Sequence, residues 1–170
     1  NMALVLVGDF DIEATKPLIE KTFGKLEARP LPARTQYPTT AFEQDERYSA
    51  KLGYMPELYI AYNGVPVGDK DELLLDFLGE ILSNSMQIGL LDELTLDNKL
   101  MYAGAANDVR RDQGRFLVIA VPYMDAETQT YTSLKETEQL VNEVIQQLVS
   151  GNISEELVEA VRQNFYQEFD

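Results

Sequence analysis

The chain has 170 residues, of which 29 are Asp or Glu and 14 are Lys or Arg, and it contains neither histidine nor cysteine. This composition excludes Ser-His-Asp and Cys-His catalysis, since no imidazole can accept a proton, and it leaves only carboxylates as ligands for a catalytic zinc ion. The net charge of −15 argues against a nucleic-acid partner, because phosphates would be repelled.

The length predicts a single domain over residues 1–170, since soluble domains most often have about 100–150 residues. No apolar run approaches the roughly 20 residues needed to span a bilayer, and no targeting segment is visible. We therefore expect no membrane segment, and either the periplasm or the cytoplasm as the compartment. Because the sequence begins in a strand pattern and ends in a helical one, we expect it to be an excised fragment of a longer chain.

The first predicted elements are a strand and a helix. The apolar run Ala3–Val7 predicts an interior strand that Gly8-Asp9 ends. An amphipathic helix follows, for which we predict Thr15 as the N-cap, Pro17 in the first turn and Gly24 at the end. The positions that share one face of this helix are Leu18, Ile19, Thr22, Phe23 and Leu26. An extended linker is expected over residues 30–40.

Tyrosines and aliphatic residues alternate between Glu46 and Val65. This pattern predicts two strands, or one strand bent at Met55-Pro56, because proline cannot donate to a central ladder. The tyrosines are interpreted as sheet packing. A strand of this kind could also act as an edge for the addition of a peptide strand, which would make the chain an interaction module.

Asp69 and Glu72 have the spacing of a capping box at the start of a helix that reaches Leu82. We predict that Leu78 and Ile81 face the core, and that Leu78→Ala costs about 2–5 kcal/mol. A second, short helix is expected to carry three further apolar residues, Leu90, Leu91 and Leu94.

A β-hairpin is predicted from Tyr102–Val109 and Phe116–Val121, with Arg110 and Arg111 at a solvated tip that tolerates alanine. A long helix from Leu134 to Val149 follows. Gly151 is expected to cap that helix, and Ser154 to start a last helix that continues through Phe165 and Phe169. In this order, the elements predict an α+β fold in which helices pack on one face of a largely antiparallel sheet.

Several short segments, taken in order, resemble the pitrilysin (insulinase-like) family of zinc metallopeptidases, which includes the mitochondrial processing peptidases. The matching segments are 1–11, 18–26, 73–82, 91–94, 100–102, 114–122 and 151–157. The resemblance covers essentially the whole chain and corresponds to the second, C-terminal domain of one half of such a peptidase.

The resemblance implies that zinc lies in a preceding domain, on an inverted His-x-x-Glu-His helix that this chain lacks. The implied partners are that upstream zinc-bearing domain, a second homologous half or subunit, and peptide substrates. In the family's other half, an arginine seven residues before a tyrosine positions the substrate. Here Tyr102 occupies the tyrosine position and Thr95 the arginine position. Tyr102 is therefore the one substrate-contact candidate, and no catalytic or metal-binding residue is expected.

The glycine pair and the Ser-Arg-Leu sequence that often follow the long helix in the family are replaced here by Ser83-Asn84 and Ser85-Met86-Gln87. These departures favour the zinc-bearing half over the substrate-positioning half, or indicate a half that has lost both roles. Two functions are implied: a non-catalytic, substrate-enclosing domain of a zinc-dependent endopeptidase, or the same domain in a catalytically dead relative that acts as an assembly or processing scaffold. In either case the chain alone should be inactive and hold no cofactor.

Overall fold

The structure is a computed structural model that describes residues 3–27, 29–30, 32–33, 35 and 42–167. Residues 1–38 form one compact unit and residues 39–170 form another. Phe169 and most of the predicted linker over residues 30–40 lie outside the described residues.

The first unit contains helix α1, Ile12–Phe23. The prediction of Thr15 as its N-cap is wrong, because the Asp11 carboxylate accepts a hydrogen bond from the Ala14 N–H at 2.9 Å and so starts the helix one turn earlier. Pro17 consequently lies inside α1 and not in its first turn. The predicted end at Gly24 is confirmed, since its N–H donates to the Glu20 carbonyl at 2.9 Å.

The predicted strand Ala3–Val7 does not form in the described structure. These residues belong to no ladder, and Val5 and Val7 are 78% and 93% exposed. A strand needs a neighbour to satisfy its backbone N–H and C=O groups, and the described part of the first unit contains one helix and no strand with which these residues could pair.

The second unit contains an antiparallel sheet of β1, Leu58–Asn63, β2, Leu100–Asp108, and β3, Arg115–Pro122. The strand order is β1-β3-β2, so β3 is central. The predicted β2–β3 hairpin is confirmed by its register, which ends at the Asp108↔Arg115 pair. A small additional hairpin joins β4, Met124–Asp125, to β5, Thr130–Tyr131, and was not predicted.

The prediction of strands from Glu46 to Val65 is correct only for the six residues of β1. Leu52 and Tyr54 are 94% and 106% exposed, so the tyrosine and leucine pattern before Pro56 does not correspond to sheet packing. The residues before Pro56 are instead connected to a helix of the second unit by an ion pair. Both terminal nitrogens of Arg47 donate to the Glu138 carboxylate, at 2.8 and 2.6 Å.

The helices of the second unit are α2, Glu72–Leu82, α3, Leu90–Leu96, α4, Leu134–Val149, and α5, Glu155–Gln167. Predictions for α3 and α4 are confirmed, and Gly151 follows α4 with a φ of 71°, as a left-handed cap requires. The predicted start at Ser154 is also confirmed, since its hydroxyl oxygen accepts from the Leu157 N–H at 3.1 Å.

Helix α2 begins two residues later than the predicted capping box implies. Asp71, and not Asp69, is the N-cap, and its side chain makes no capping hydrogen bond. Asp69 and Glu72 nevertheless stabilise the entry, because the Asp69 carboxylate accepts from the Asp71 N–H and the Glu72 carboxylate accepts from the Gly68 N–H. The residues before α2 therefore form a turn in which these two carboxylates accept hydrogen bonds from backbone N–H groups.

The core lies between one face of the sheet and the helices. Ile81 is 2% exposed, which confirms its predicted core position, whereas Leu78 is half-buried at the margin of the core. Apolar side chains from alternate sheet positions and from α2, α3, α4 and α5 form this cluster: Leu82, Leu91, Ala103, Phe116, Val118, Ala120, Val141 and Val161. The predicted α+β class, with helices on one face of an antiparallel sheet, is confirmed.

Candidate functional site

The face of the sheet opposite the helices carries the substrate-contact candidate, Tyr102. We call it the outer face, and its residues alternate with the core positions of the three strands: Tyr59, Ala61, Tyr102, Gly104, Ala106, Leu117 and Ile119. Tyr59 and Tyr102 are 60% and 52% exposed, so both rings are accessible within the second unit.

A β-bulge at Met101 sets the orientation of Tyr102. The register of β2 against β3 shifts by one residue between Leu100 and Tyr102. Leu100 and Ala103 are therefore both buried, although they are three residues apart, and the residue before Ala103 is directed to the opposite face. This irregularity places Tyr102 on the outer face together with Gly104.

Thr95, which the resemblance implies for the arginine position, lies on α3 and is half-buried. Its backbone carbonyl accepts a hydrogen bond from the Asn98 N–H at 3.1 Å, and this bond closes the end of the helix. The uncharged side chain at this position cannot supply the two-pronged hydrogen bonding to a peptide carbonyl or carboxylate that arginine provides.

The predicted exposure of the hairpin tip is confirmed, but Arg110 is ion-paired and not simply solvated. Its Nε lies 2.9 Å from Asp108 Oδ1, while Arg115 Nε lies 2.8 Å from Asp108 Oδ2. Hydrogen bonds from the guanidinium groups of Arg110, which has the larger effect, and of Arg115 lower the pKa of Asp108 below its ordinary value of 3.8. The contribution of this cluster to stability is present above that ordinary pKa and is lost as the pH falls through the lowered one.

Replacing Arg110 with alanine is expected to raise the pKa of Asp108 toward the ordinary value, since the largest hydrogen-bonding contribution is removed. Arg111→Ala is the matched control, because Arg111 pairs with Asp112 and not with Asp108. A carbon-detected NMR titration of the Asp108 carboxyl measures both. Equal pKa changes in the two variants would contradict this assignment.

Asp92 is a buried carboxylate that sequence reasoning did not single out. It accepts hydrogen bonds from the Gly89 N–H at 2.9 Å, and from the Asn84 N–H and the Ser83 hydroxyl, both at 3.1 Å. All three donors belong to the loop between α2 and α3, so the carboxylate closes this loop and does not face a substrate. The Gly-x-x-Asp spacing at the start of α3 was the signal available in the sequence.

A shallow groove of about 360 Å³ lies between α4 and the residues around β4 and β5. Its charged lining residues are Lys99, Glu136 and Glu143. Lys99 is paired with Asp97 at 2.9 Å, and Glu136 accepts from the N–H of Ser133, the residue before α4. Lys99 and Glu136 are thus engaged in an ion pair and a helix cap, and neither acts as the base of a nucleophile in the groove.

The charged side chains that could bind a metal ion in this chain are all carboxylates. Imidazole and thiolate are absent from the sequence, and within the described residues no three acidic side chains converge on a point where they could hold an ion. The residues present do not fit a catalytic zinc ion. The described helices also include none with both the length and the apolar character to cross a bilayer.

The second unit is thus an α+β domain in which helices cover one face of the sheet and exposed tyrosines lie on the other. The sequence matches the family model of the peptidase M16 inactive domain over residues 1–165, and the chain belongs to this family. It is therefore a non-catalytic domain of a peptidase-like protein, and the resemblance to a pitrilysin-like C-terminal domain is confirmed. No curated protein matches the sequence.

The fold is also that of a solved protein. The crystal structure of a protease from Helicobacter pylori is similar over 96% of this chain, with a TM-score of 0.66 and 22% sequence identity. The match covers 39% of that protease chain, so the present chain spans less than half of its length. At this level of identity, the similarity establishes the fold.

Proposed function

We propose that this chain is the substrate-enclosing, C-terminal-type domain of one half of a zinc-dependent endopeptidase that acts on peptides or small proteins. In this proposal residues 1–170 act as one domain of a longer protein, and its outer face forms part of the wall of a peptide chamber. The observation that carries the proposal is the pair of exposed tyrosines, Tyr59 and Tyr102, on the two edge strands of a sheet whose opposite face is covered by helices.

The chemistry of the outer face suits an extended peptide. Aromatic rings and aliphatic side chains provide contact area for many sequences, because their packing does not depend on one hydrogen-bonding pattern. Ala61 and Ala106 lie on the two edge strands, on either side of Leu117. These small side chains lie next to the large tyrosines and leave space for a bound chain. Zinc and the general base belong to another domain in this proposal.

The sequence that precedes Asn1 in the full-length protein provides the first test. A His-x-x-Glu-His motif within one domain length supports the peptidase, whereas its loss in an otherwise intact domain supports a catalytically dead scaffold. If the motif is present, kcat/KM on an unstructured peptide should change little in Thr95→Arg, and removal of zinc by a chelator should abolish turnover. A decrease of about 100-fold in kcat/KM for Tyr102→Phe, or ~2.7 kcal/mol, would mean that Tyr102 stabilises the transition state. That result would refute the assignment of this face as a passive wall.

The 170-residue chain alone is expected to bind no stoichiometric zinc and to cleave no peptide, because carboxylates without imidazole or thiolate suit harder cations. Metal analysis after dialysis against a weak chelator, together with a peptide-cleavage assay, measures both properties. One zinc ion retained per chain would contradict the placement of the metal in another domain.

A further inference from the structure

A carboxylate lies at one end of the outer face. Glu57 precedes β1, and because Leu58 and Ile60 pack against the core, Glu57 alternates with them toward the outer face. Its carboxylate accepts the hydroxyl hydrogen of Tyr59 at 2.7 Å, which keeps the carboxylate over that face. Among the described residues no lysine or arginine forms an ion pair with Glu57. This end of the face therefore carries a negative charge without a partner cation.

The opposite end of the outer face carries guanidinium groups. Asp108 and Arg115 form the last pair of the β2–β3 ladder, and Arg115 also pairs with Asn63 of β1. Phe116 is buried in the core, so its neighbour Arg115 is directed to the outer face. Asp108 has the same direction, because the preceding residue, Asn107, donates a hydrogen bond to a carboxylate of α2 at 2.9 Å.

This second end has a net positive charge. The Asp108 carboxylate is shared by Arg110 and Arg115, at 2.9 and 2.8 Å, so one negative charge faces two positive ones. Arg115 uses its Nε in this contact, and within the described part of the chain its two terminal nitrogens donate no hydrogen bond. Its side chain is 55% exposed. These terminal nitrogens are the groups with which an arginine can bind a further carboxylate.

The distance between the two ends matches a short extended peptide. Glu57 lies six positions before Asn63, which pairs with Arg115, and at about 3.3 Å per residue the two rows are about 20 Å apart. An extended peptide has the same rise, so the two end residues of a heptapeptide are separated by the same distance. The outer-face positions of β1 between the two rows, Tyr59 and Ala61, are uncharged.

We propose that the outer face selects extended peptides that carry a basic side chain and an acidic side chain about six residues apart, the basic one at Glu57 and the acidic one at Arg115. This inference rests on the proposed function of the outer face as a peptide wall. The ring of Tyr59, which is 60% exposed next to Glu57, also offers an aromatic face to the cation. The uncharged middle of the face supplies contact area, and the charged ends determine the position of the peptide along the strands.

Two heptapeptides of identical composition, with blocked termini, test this proposal. In the first, one lysine and one glutamate occupy the two end positions, and in the second they are adjacent at the centre. Both peptides have zero net charge, so the net charge of −15 on the chain favours neither. At about 0.1 M ionic strength, charges are screened over about 10 Å, so the two ends act separately. We expect the first peptide to bind the 170-residue chain about 3–10-fold more tightly in a calorimetric titration.

Single substitutions assign this preference to the two ends. Glu57→Gln and Arg115→Gln should each remove most of the difference between the two peptides. Glu46→Gln is the matched control for the first, since Glu46 also accepts the hydroxyl hydrogen of a tyrosine two residues later, at 2.6 Å, but lies outside the sheet. Arg111→Gln is the matched control for the second, because Arg111 lies in the same hairpin, is 56% exposed and pairs with Asp112. Both controls change the net charge equally and should keep the preference.

The outcomes separate the failure of this inference from that of the proposed function. If neither peptide binds, the peptide wall and its charge selection are both overturned. Equal binding of the two peptides would overturn the selection by spacing, although the peptide wall would stand. A preference that survives in Glu57→Gln or in Arg115→Gln, with an unchanged circular dichroism spectrum, would show that other groups recognise the charges and would overturn the assignment.

Discussion

Replacing Ile81 with alanine is expected to lower the free energy of unfolding by about 2–5 kcal/mol. Ile81 is 2% exposed and lies in the core cluster between α2 and the sheet, so truncation removes apolar contacts and leaves a cavity that the surrounding helices fill only in part. Denaturant unfolding followed by circular dichroism measures the change.

Two leucines of α2, Leu73 and Leu78, provide a graded control. Leu73 is 59% exposed, so Leu73→Ala should alter stability by no more than about 0.5 kcal/mol. Leu78 is half-buried against the core, and its replacement should fall at the lower end of the range given for Ile81. Similar losses at Ile81 and Leu73 would show that the inward face of α2 is assigned incorrectly.

Asp92→Ala is expected to destabilise the second unit by about 2–4 kcal/mol, since each buried donor left without a partner costs about 1–3 kcal/mol. The variant removes the acceptor of the buried Gly89 N–H, and also that of the Asn84 N–H and the Ser83 hydroxyl. Hydrogen exchange at Gly89 and Asn84 should accelerate together with the fall in the unfolding midpoint.

Asp92→Asn keeps one carbonyl oxygen as an acceptor and should recover about half of that loss. Glu93, the next residue on α3, is exposed, and Glu93→Ala should be neutral. If Asp92→Ala leaves the exchange of both loop amides unchanged, the carboxylate does not hold the loop between α2 and α3. A replacement at this loop should change stability and leave the outer face intact, which separates it from the variants at Tyr102.

The sequence allowed correct prediction of elements whose local signals agree with their packing. For α4, apolar spacing, Gly151 beyond its end and the reciprocal hydrogen bonds of Ser133 and Glu136 all point to the same boundaries. The β2–β3 hairpin was predictable because its strands are close in sequence. The α+β class followed from the order of these elements.

Other features depend on contacts that a linear pattern does not contain. Whether Ala3–Val7 forms a strand is decided by the presence of a neighbour, and the start of α1 depended on which of two capping residues, Asp11 or Thr15, accepts the first hydrogen bond. The tyrosine-rich residues before Pro56 have strand propensity but extend into solvent.

The candidate site was predictable only in its tyrosine. Tyr102 was identified through a family resemblance, whereas its exposure on the outer face depends on the bulge at Met101 and on the side-chain direction along β2. Likewise, the pairing of Arg110 with Asp108 arises because the ends of two strands come together at the hairpin. Such groupings are produced by folding and have no fixed spacing in the chain.

The strand order β1-β3-β2 has a consequence for the pathway by which the sheet assembles. The central strand pairs on one side with its neighbour in the hairpin, but on the other side with β1, which lies before α2, α3 and β2 in the chain. Closing that long loop costs more entropy than closing the hairpin, so β1 should join last. Until it does, β3 has an unpaired apolar edge that can recruit a strand from another molecule, and refolding yield should fall as protein concentration rises.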